Sequence, residues 1–414
     1  MKEIVHMNVL KNMVILRIVS QMVVLLIGAL IAFNSFPIWA FASSSSDVEV
    51  AGWIPYWRDS QGIIDAKKNI RDIDIIYPFS YVAKEDGTLK DLADMESSEW
   101  VKFIKYAHSK HVDVVPTVMW SDGGSIHANL SYPELRKKHI DNIIDMVKEG
   151  DYDGVNIDYE SKFSTTIDHF SAFLTELKEE LGDDKILACT IEARTPPDSL
   201  YKTVPSPLLY ANDFKVIAEV CDTVEIMAYD QQRADLKLND TKSGMPYMPV
   251  ADVDWVEKVA QLALKDIPKE KIMLGIPTYG HHYEVTVGPN WFKNYRKIGA
   301  LNLPDILDVA KEYKVTPGRN KAGEMSYTYF PKSSFFKVLS ALPVPLGTQK
   351  GNEAAAQALL YANKTGQEVK FNMAWYSDAG AITQKVSLAE KYDLKGVAIF
   401  KFDGEEDRSM WRLF

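Results

Sequence analysis

The chain has 414 residues, of which 46% are hydrophobic and 25% are charged, a composition typical of a globular protein. Its length suffices for one large domain with an insertion. The formal net charge of -10 argues against a nucleic-acid partner, because proteins that bind nucleic acids carry basic surfaces.

The first 42 residues differ from the rest of the chain. They carry scattered positive charge, then an apolar run over 22–33, and they end in Ala-Phe-Ala before a run of serines. This pattern predicts a secretory signal peptide over 1–42. The alternative is an uncleaved N-terminal anchor, although about 20 apolar residues are normally needed to span a bilayer. Both interpretations predict a secreted or cell-surface protein, which contacts the membrane only if this segment is uncleaved.

After a Ser-rich linker over 43–47, eight short runs rich in β-branched and aromatic residues alternate with longer segments of helical period. Such alternation is typical of βα units, and eight of them predict an α/β fold, the (β/α)8 TIM barrel. The predicted strands are 48–57, 73–82, 112–120, 154–160, 186–192, 223–229, 272–279 and 396–402.

More than a hundred residues separate the seventh and eighth predicted strands, which is too many for one helix. We therefore predict a small α+β subdomain inserted at 282–370. The catalytic barrel is then formed by 48–281 together with 371–414.

The chain has two cysteines, Cys189 and Cys221. We expect both to be small buried hydrophobic residues, and a single bridge between them is the alternative. The fold should therefore depend on its core and not on a disulfide framework.

The segment from Asp153 to Glu160 carries the strongest functional signal. Alternate side chains of a strand point the same way, so Asn156, Asp158 and Glu160 share one face with Gly154. Strands of a parallel barrel are normally apolar on both faces, and three polar side chains in a row are costly unless they serve a function. Glu160 ends the strand, where the active sites of such barrels lie.

Glu160 is the candidate general acid of this motif. Partial burial and the neighbouring Asp158 should both raise its carboxyl pKa, as a general acid requires. The alternative is a solvated acidic loop or a cation site, but the early position of Gly154 does not fit a calcium loop. We predict neither a metal nor another cofactor.

A second cluster extends from Glu225 to Asp230 on the sixth predicted strand. Alternation places Met227 and Tyr229 on one face and leaves Asp230 at the end of the strand. Tyr229 is a candidate site hydroxyl, with a core tyrosine as the alternative. Aromatic side chains at other strand ends are further candidates for stacking on the apolar faces of a substrate: Trp53, Tyr81, Trp120, Tyr279 and Trp375. Glu192, at the end of the fifth predicted strand, is a candidate polar residue of the same cleft, with a structural salt bridge as the alternative.

Two motifs in this order resemble glycoside hydrolase family 18. DGVNIDYE resembles the catalytic strand motif of that family, and EIMAYD resembles its sixth-strand motif. The segments WIPYW, FSYVAKEDGTL and FNMAWYSD look like its chitinase-like bacterial branch, which includes spore-cortex peptidoglycan N-acetylglucosaminidases. The resemblance covers most of residues 48–407.

The resemblance implies retaining, substrate-assisted hydrolysis of β-1,4 bonds next to N-acetylglucosamine in chitin-like or peptidoglycan polymers. Glu160 would act first as acid and then as base, Asp158 would orient the acetamide group, and Tyr229 would donate to the acetamide oxygen. The residues expected to support the acid are Asp153 and Asn156, and those expected to line the sugar site are Met227 and Asp230. We expect a monomer.

Two positions depart from the family pattern. Asn156 stands where many members carry aspartate, which removes a proton-sharing partner. Phe400 stands where members often place a tryptophan under the scissile sugar, and Trp375 is the candidate substitute. Two alternative functions stay open, an endo-β-N-acetylglucosaminidase that acts on N-glycans and a non-catalytic carbohydrate-binding lectin on the same barrel.

Overall fold

A computed structural model describes residues 48–242 and 244–414. The predicted signal peptide or anchor over 1–42 and the linker over 43–47 lie outside the described residues. Within the described part of the chain, no helix combines the length and apolar character needed to cross a membrane.

The strands in chain order are β1 Glu49–Pro55, β2 Ile75–Ala83, β3 Leu89–Asp91, β4 Asp113–Val114, β5 Thr117–Trp120, β6 Gly154–Tyr159, β7 Ile186–Glu192, β8 Thr223–Met227, β9 Ile272–Pro277, β10 Gly280–Gly288, β11 Trp291–Leu301, β12 Gly318–Arg319, β13 Met325–Tyr329, β14 Val369–Tyr376 and β15 Gly396–Phe400. The α-helices are α1 Asp59–Lys68, α2 Ser98–His108, α3 Gly123–Ser131, α4 Pro133–Glu149, α5 Ile167–Leu181, α6 Pro197–Leu200, α7 Phe214–Val220, α8 Leu236–Thr241, α9 Val253–Ala263, α10 Leu303–Glu312, α11 Ser334–Ser340, α12 Glu353–Thr365 and α13 Ala379–Lys391.

Eight parallel strand positions close into a barrel, which confirms the predicted (β/α)8 fold. Around the ring the order is β1, β2, β5, β6, β7, β8, β9 and β15, and β15 pairs back onto β1. The third predicted strand is divided into β4 and β5, with Pro116 between them. Proline has no N–H to donate, so it interrupts the ladder at this point.

Strand β6 has one face of side chains packed against the helices and the other face turned into the barrel. Its outward side chains pack under the helices, and Tyr159 stacks on Phe173 of α5 with ring centroids 5.4 Å apart. At its start, a Cβ on Gly154 would collide with the carbonyl oxygen of Ile186 on β7, so the close approach of the two strands requires glycine. Because side chains alternate, Asn156 and Asp158 point into the barrel.

A second sheet lies between β9 and β15 in the chain. It is antiparallel, with the order β11, β10, β14, β13 and β12. Its first strand begins at Gly280 and its β14 ends at Tyr376, so the insertion extends beyond the predicted 282–370 at both ends. Strand β14 pairs with β10 and β13, both in the inserted sheet. The barrel therefore does not resume at residue 371, as the sequence predicts, but after β14.

The two cysteines form a disulfide bridge with their Cα atoms 6.1 Å apart. The expectation that they are only small buried hydrophobic residues is therefore wrong. Cys189 lies on β7 and Cys221 lies just before β8, and these strands are neighbours in the barrel. The two cysteines are 32 residues apart in the sequence, and the pairing of β7 with β8 brings them together. Their spacing in the sequence alone does not predict this contact.

Candidate active site

A cavity of about 370 Å³ opens at the C-terminal ends of the barrel strands. Its volume is in the range of sites that bind small molecules. The structure brings eight of the predicted site residues to its wall: Trp53, Asp158, Glu160, Glu192, Met227, Tyr229, Asp230 and Tyr279.

Glu160 follows β6 directly and is held by its backbone, whose N–H donates to the carbonyl oxygen of Trp120 over 2.8 Å. Burial raises the pKa of its carboxyl group, and the negative charge of Glu192 raises it further. The nearby Lys162 ammonium acts in the opposite direction. A carboxyl group with a raised pKa keeps its proton at higher pH, which suits a general acid.

Asp158 lies two residues before Glu160, on the same face of the strand, and is almost fully buried, with 5% of its surface exposed. Burial raises its pKa well above the ordinary value, and the Glu160 carboxylate adds to the effect. Its Oδ1 atom has no hydrogen-bond partner among the described residues, although it is buried. Such an atom is costly unless a ligand satisfies it, so Asp158 is positioned to hydrogen bond to a bound molecule.

Tyr229 supplies a hydroxyl group to the same cavity. Burial raises its pKa well above the ordinary value of a phenol, and the charges of Asp158 and Asp230 raise it further. The group therefore stays protonated at neutral pH and can donate a hydrogen bond.

Phe400 lies at the centre of the aromatic floor of the cavity. Tyr229 stacks on it with ring centroids 5.8 Å apart, and Trp53 and Phe79 meet it edge-on at 5.9 and 5.8 Å. Tyr279 completes the set at 6.1 Å. Phe400 thus forms part of the cavity wall, at the position where the family resemblance expects a tryptophan.

Asp230 is fixed by two donors at the edge of the cavity. Its Oδ1 atom accepts from the Tyr279 hydroxyl at 2.9 Å and lies 2.6 Å from Nε2 of His281. Burial alone would raise its pKa, but these hydrogen bonds lower it below the ordinary value. Asp230 therefore presents a carboxylate to the cavity.

The two residues predicted to support the acid, Asn156 and Asp153, lie at different levels of the barrel. Asn156 accepts from Thr190 at 3.0 Å and donates to Glu225 at 3.4 Å, so it belongs to a polar layer below Asp158. Asp153 precedes the strand and accepts from the N–H of Val114 at 2.7 Å. It therefore orders the start of the strand, at the end opposite to Glu160.

Two of the predicted sugar-binding residues point away from the cavity. Trp120 is the register partner of Tyr159, and partners on neighbouring parallel strands point to the same side, here toward the helices. The register of β2 shifts between Phe79 and Tyr81, so Phe79 faces the cavity. The Tyr81 hydroxyl instead lies 3.0 Å from that of Tyr152, in another cavity.

Trp375 is the third predicted residue that the structure places elsewhere. It lies on β14 in the inserted sheet, where its indole N–H donates to the buried Glu324 at 2.6 Å. Its ring packs on Tyr247, with centroids 5.8 Å apart. It therefore does not substitute for the family tryptophan, and Phe400 itself occupies that position.

Several residues of the wall were missed by the sequence reasoning. Alternation on β7 places Thr190 on the face of Glu192, a signal that was available in the sequence. Lys162, beside Glu160, and Trp255, on α9, carried no such signal. The missed wall residues are Thr190, Ala193, Thr195, Gln231, Ala234 and Trp255.

Comparison with known proteins identifies relatives of this barrel. The profile described as "Glycosyl hydrolases family 18" matches residues 50–405. The putative sporulation-specific glycosylase YdhD of Bacillus subtilis (strain 168) is 22% identical over 277 residues, which cover 67% of this chain and 53% of that protein. The cortical fragment-lytic enzyme of Bacillus anthracis is 26% identical over 212 residues, which cover 50% and 45%. The chain thus spans about half the length of these curated relatives.

A solved structure supports the same fold. The crystal structure of the Bacillus cereus spore cortex-lytic enzyme SleL superimposes with a TM-score of 0.63 at 20% sequence identity. The match covers 88% of this chain and 73% of that one.

Proposed function

We propose that this chain, which belongs to glycosyl hydrolases family 18 and is a glycoside hydrolase, cleaves β-1,4 bonds next to N-acetylglucosamine by a retaining, substrate-assisted mechanism. The substrates are chitin-like or peptidoglycan polymers. The observation that carries the proposal is the buried, unpartnered Oδ1 of Asp158, in one cavity with Glu160 and the Tyr229 hydroxyl. A 2-acetamido group offers an N–H and a carbonyl oxygen that match Asp158 and Tyr229.

In the first step, Glu160 donates its proton to the glycosidic oxygen as the bond from that oxygen to C1 breaks. The acetamide carbonyl oxygen attacks C1 from the opposite face, which gives an oxazolinium ion and a free hydroxyl on the leaving sugar. Asp158 accepts from the acetamide N–H and Tyr229 donates to the carbonyl oxygen. Positive charge that develops on the ring favours the carboxylate form of Asp158.

In the second step, the Glu160 carboxylate removes a proton from water as the water oxygen attacks C1 and the oxazolinium ring opens. Glu160 regains its proton and the acetamide is restored. Two inversions at C1 leave the configuration of the sugar unchanged.

The test is a turnover assay of the full-length chain on three substrates: a fluorogenic chitooligosaccharide, purified peptidoglycan and a chitobiose-linked glycopeptide. We expect cleavage of at least one of the first two, with the β-anomer formed first in ¹H NMR spectra. Glu160→Gln should abolish cleavage, because glutamine keeps the shape of glutamate but has no acidic proton to transfer to the glycosidic oxygen.

Other results would contradict the proposal. Cleavage of the glycopeptide alone would indicate an N-glycan endoglycosidase, and initial release of the α-anomer would exclude a retaining mechanism. Sugar binding without turnover of any substrate would indicate a lectin.

We also propose that the protein works outside the cytoplasm, secreted or at the cell surface. The Cys189–Cys221 bridge supports this location, because disulfides persist in oxidising compartments. Cell fractionation tests the location, and N-terminal sequencing of the mature protein shows whether the leader is cleaved. Recovery in the cytoplasm would contradict the proposal.

A further inference from the structure

A buried lysine lies behind the wall of the cavity, two residues after Glu160. The Lys162 side chain has 0% exposed surface, and its ammonium lies 4.6 Å from the centroid of the Phe170 ring. It also donates to the carbonyl oxygen of Tyr159. Burying an ammonium group is costly unless it is paired, and its anionic partner is Glu192, with Nζ and Oε2 3.8 Å apart.

Glu192 is held in place between this lysine and the cavity. Its Oε1 atom accepts from the N–H of Ser161 at 3.2 Å, and its Oε2 atom accepts from Asn212 at 2.7 Å. The side chain is 38% exposed and lines the cavity together with Glu160. Glu192 thus contacts Lys162 through Oε2 and also forms part of the cavity wall.

The Lys162–Glu192 pair places two opposite charges near Glu160. Glu192 approaches from β7 and raises the pKa of Glu160, whereas Lys162 lowers it. The other charged group that acts on Glu160 is Asp230, which follows β8. The titratable groups around the pair are Asp158, Tyr229, Asp230, Arg194 and Glu160 itself.

We propose that Lys162 and Glu192 are positioning residues that act on Glu160 with opposite sign, so that the pair sets the pH range in which the enzyme works. Neither residue takes part in the chemistry. The inference rests on the proposed role of Glu160 as the general acid. A purely structural ion pair would change stability when broken but would not move the pH profile in opposite directions.

The test compares Lys162→Met, Glu192→Gln and the double variant. Lys162→Met removes the cation and should move the alkaline limb of the kcat/KM profile to higher pH. Glu192→Gln removes the anion and should move that limb to lower pH, each by about half a pH unit or more. The double variant should return close to the wild type. Lys162→Arg keeps the charge and should restore the wild-type profile, and thermal unfolding shows that each variant is folded.

A second measurement does not require turnover. Titration of the Glu160 carboxyl carbon by ¹³C NMR, with its signal assigned by its loss in Glu160→Gln, should show the same opposite shifts. Shifts of one sign, or no shift in folded variants, would overturn the inference. Failure of the proposed function is recognised separately, because the wild type would then cleave none of the substrates while the NMR titration still reports on the pair.

Discussion

His281 lies with its Nε2 atom 2.6 Å from Oδ1 of Asp230, and this contact joins the first strand of the inserted sheet to a carboxylate of the barrel cavity. The histidine is 1% exposed, whereas the Asp230 side chain is 47% exposed toward the cavity. The insertion therefore contributes directly to the site.

Replacement of His281 by phenylalanine should lower kcat/KM about tenfold or more, because a hydrogen bond to a charged group contributes about 1.5–3 kcal/mol. The pKa of Asp230 should rise, since burial raises it and the hydrogen bond that opposes burial is lost. Steady-state kinetics across pH measure both effects. His282→Phe is the matched control, because the neighbouring His282 contacts Tyr329 in the inserted sheet. Equal losses in the two variants would show that the contact with Asp230 is not responsible.

Phe400 and Trp375 should respond differently to substitution. Phe400→Ala removes the centre of the aromatic floor and should raise KM several-fold, because aromatic contacts contribute about 0.5–1.5 kcal/mol beyond their buried area. Trp375→Phe removes a buried donor from Glu324 and should lower the free energy of unfolding by about 1–3 kcal/mol with KM unchanged. Kinetics and urea unfolding measure the two effects. An altered KM in Trp375→Phe would mean that this residue does reach the substrate.

The disulfide should contribute to stability. Closing a loop across 32 residues restricts the unfolded chain and is expected to stabilise the fold by about 3–4 kcal/mol. The Cys189→Ala, Cys221→Ala double variant should therefore unfold at a lower urea concentration, and a reducing agent should destabilise the wild type but not the variant. Equal sensitivity of the two proteins to the reducing agent would indicate that the bridge is not formed.

The carboxyl group of Glu406, which is buried against that of Asp65, should make stability fall as pH rises. Each is 4% exposed, and Oδ2 of Asp65 and Oε1 of Glu406 have no other partner among the described residues. Burial, and then the contact with Asp65, raise the pKa of Glu406 from 4.5 to about 8. With its proton retained, the Glu406 carboxyl group can donate to Asp65.

The folded protein therefore holds this proton more tightly than the unfolded chain. The resulting stabilisation is complete below pH 4.5 and is lost as pH rises toward 8. Glu406→Gln mimics the protonated form, so it should remove this pH dependence and gain at least about 1 kcal/mol over the wild type at pH 8. Denaturant unfolding at pH 5 and pH 8 measures the free energy of unfolding of both proteins. Glu390→Gln, on the exposed face of α13, is the control. The same fall with pH in Glu406→Gln and the wild type would refute the raised pKa of Glu406.

Most of the barrel was predictable because each strand is a short apolar run between helical segments. Strand β7 was predicted with the bounds that the structure shows, and β6 differs only in its last residue. The end of the inserted domain was missed because β14 has the same composition as a barrel strand. Only its antiparallel partners in the second sheet distinguish it.

The sequence by itself determined the family, the number of barrel strands and the placement of Asp158 and Glu160 on one face, because strand alternation and motif order are local properties. Tertiary structure alone decided that Trp120 and Tyr81 face away from the cavity, since this depends on the register between strands. It also decided that Cys189 meets Cys221 and that Lys162 lies behind Glu192. Pairing of residues distant in the chain is set by how the strands pack, which no local pattern records.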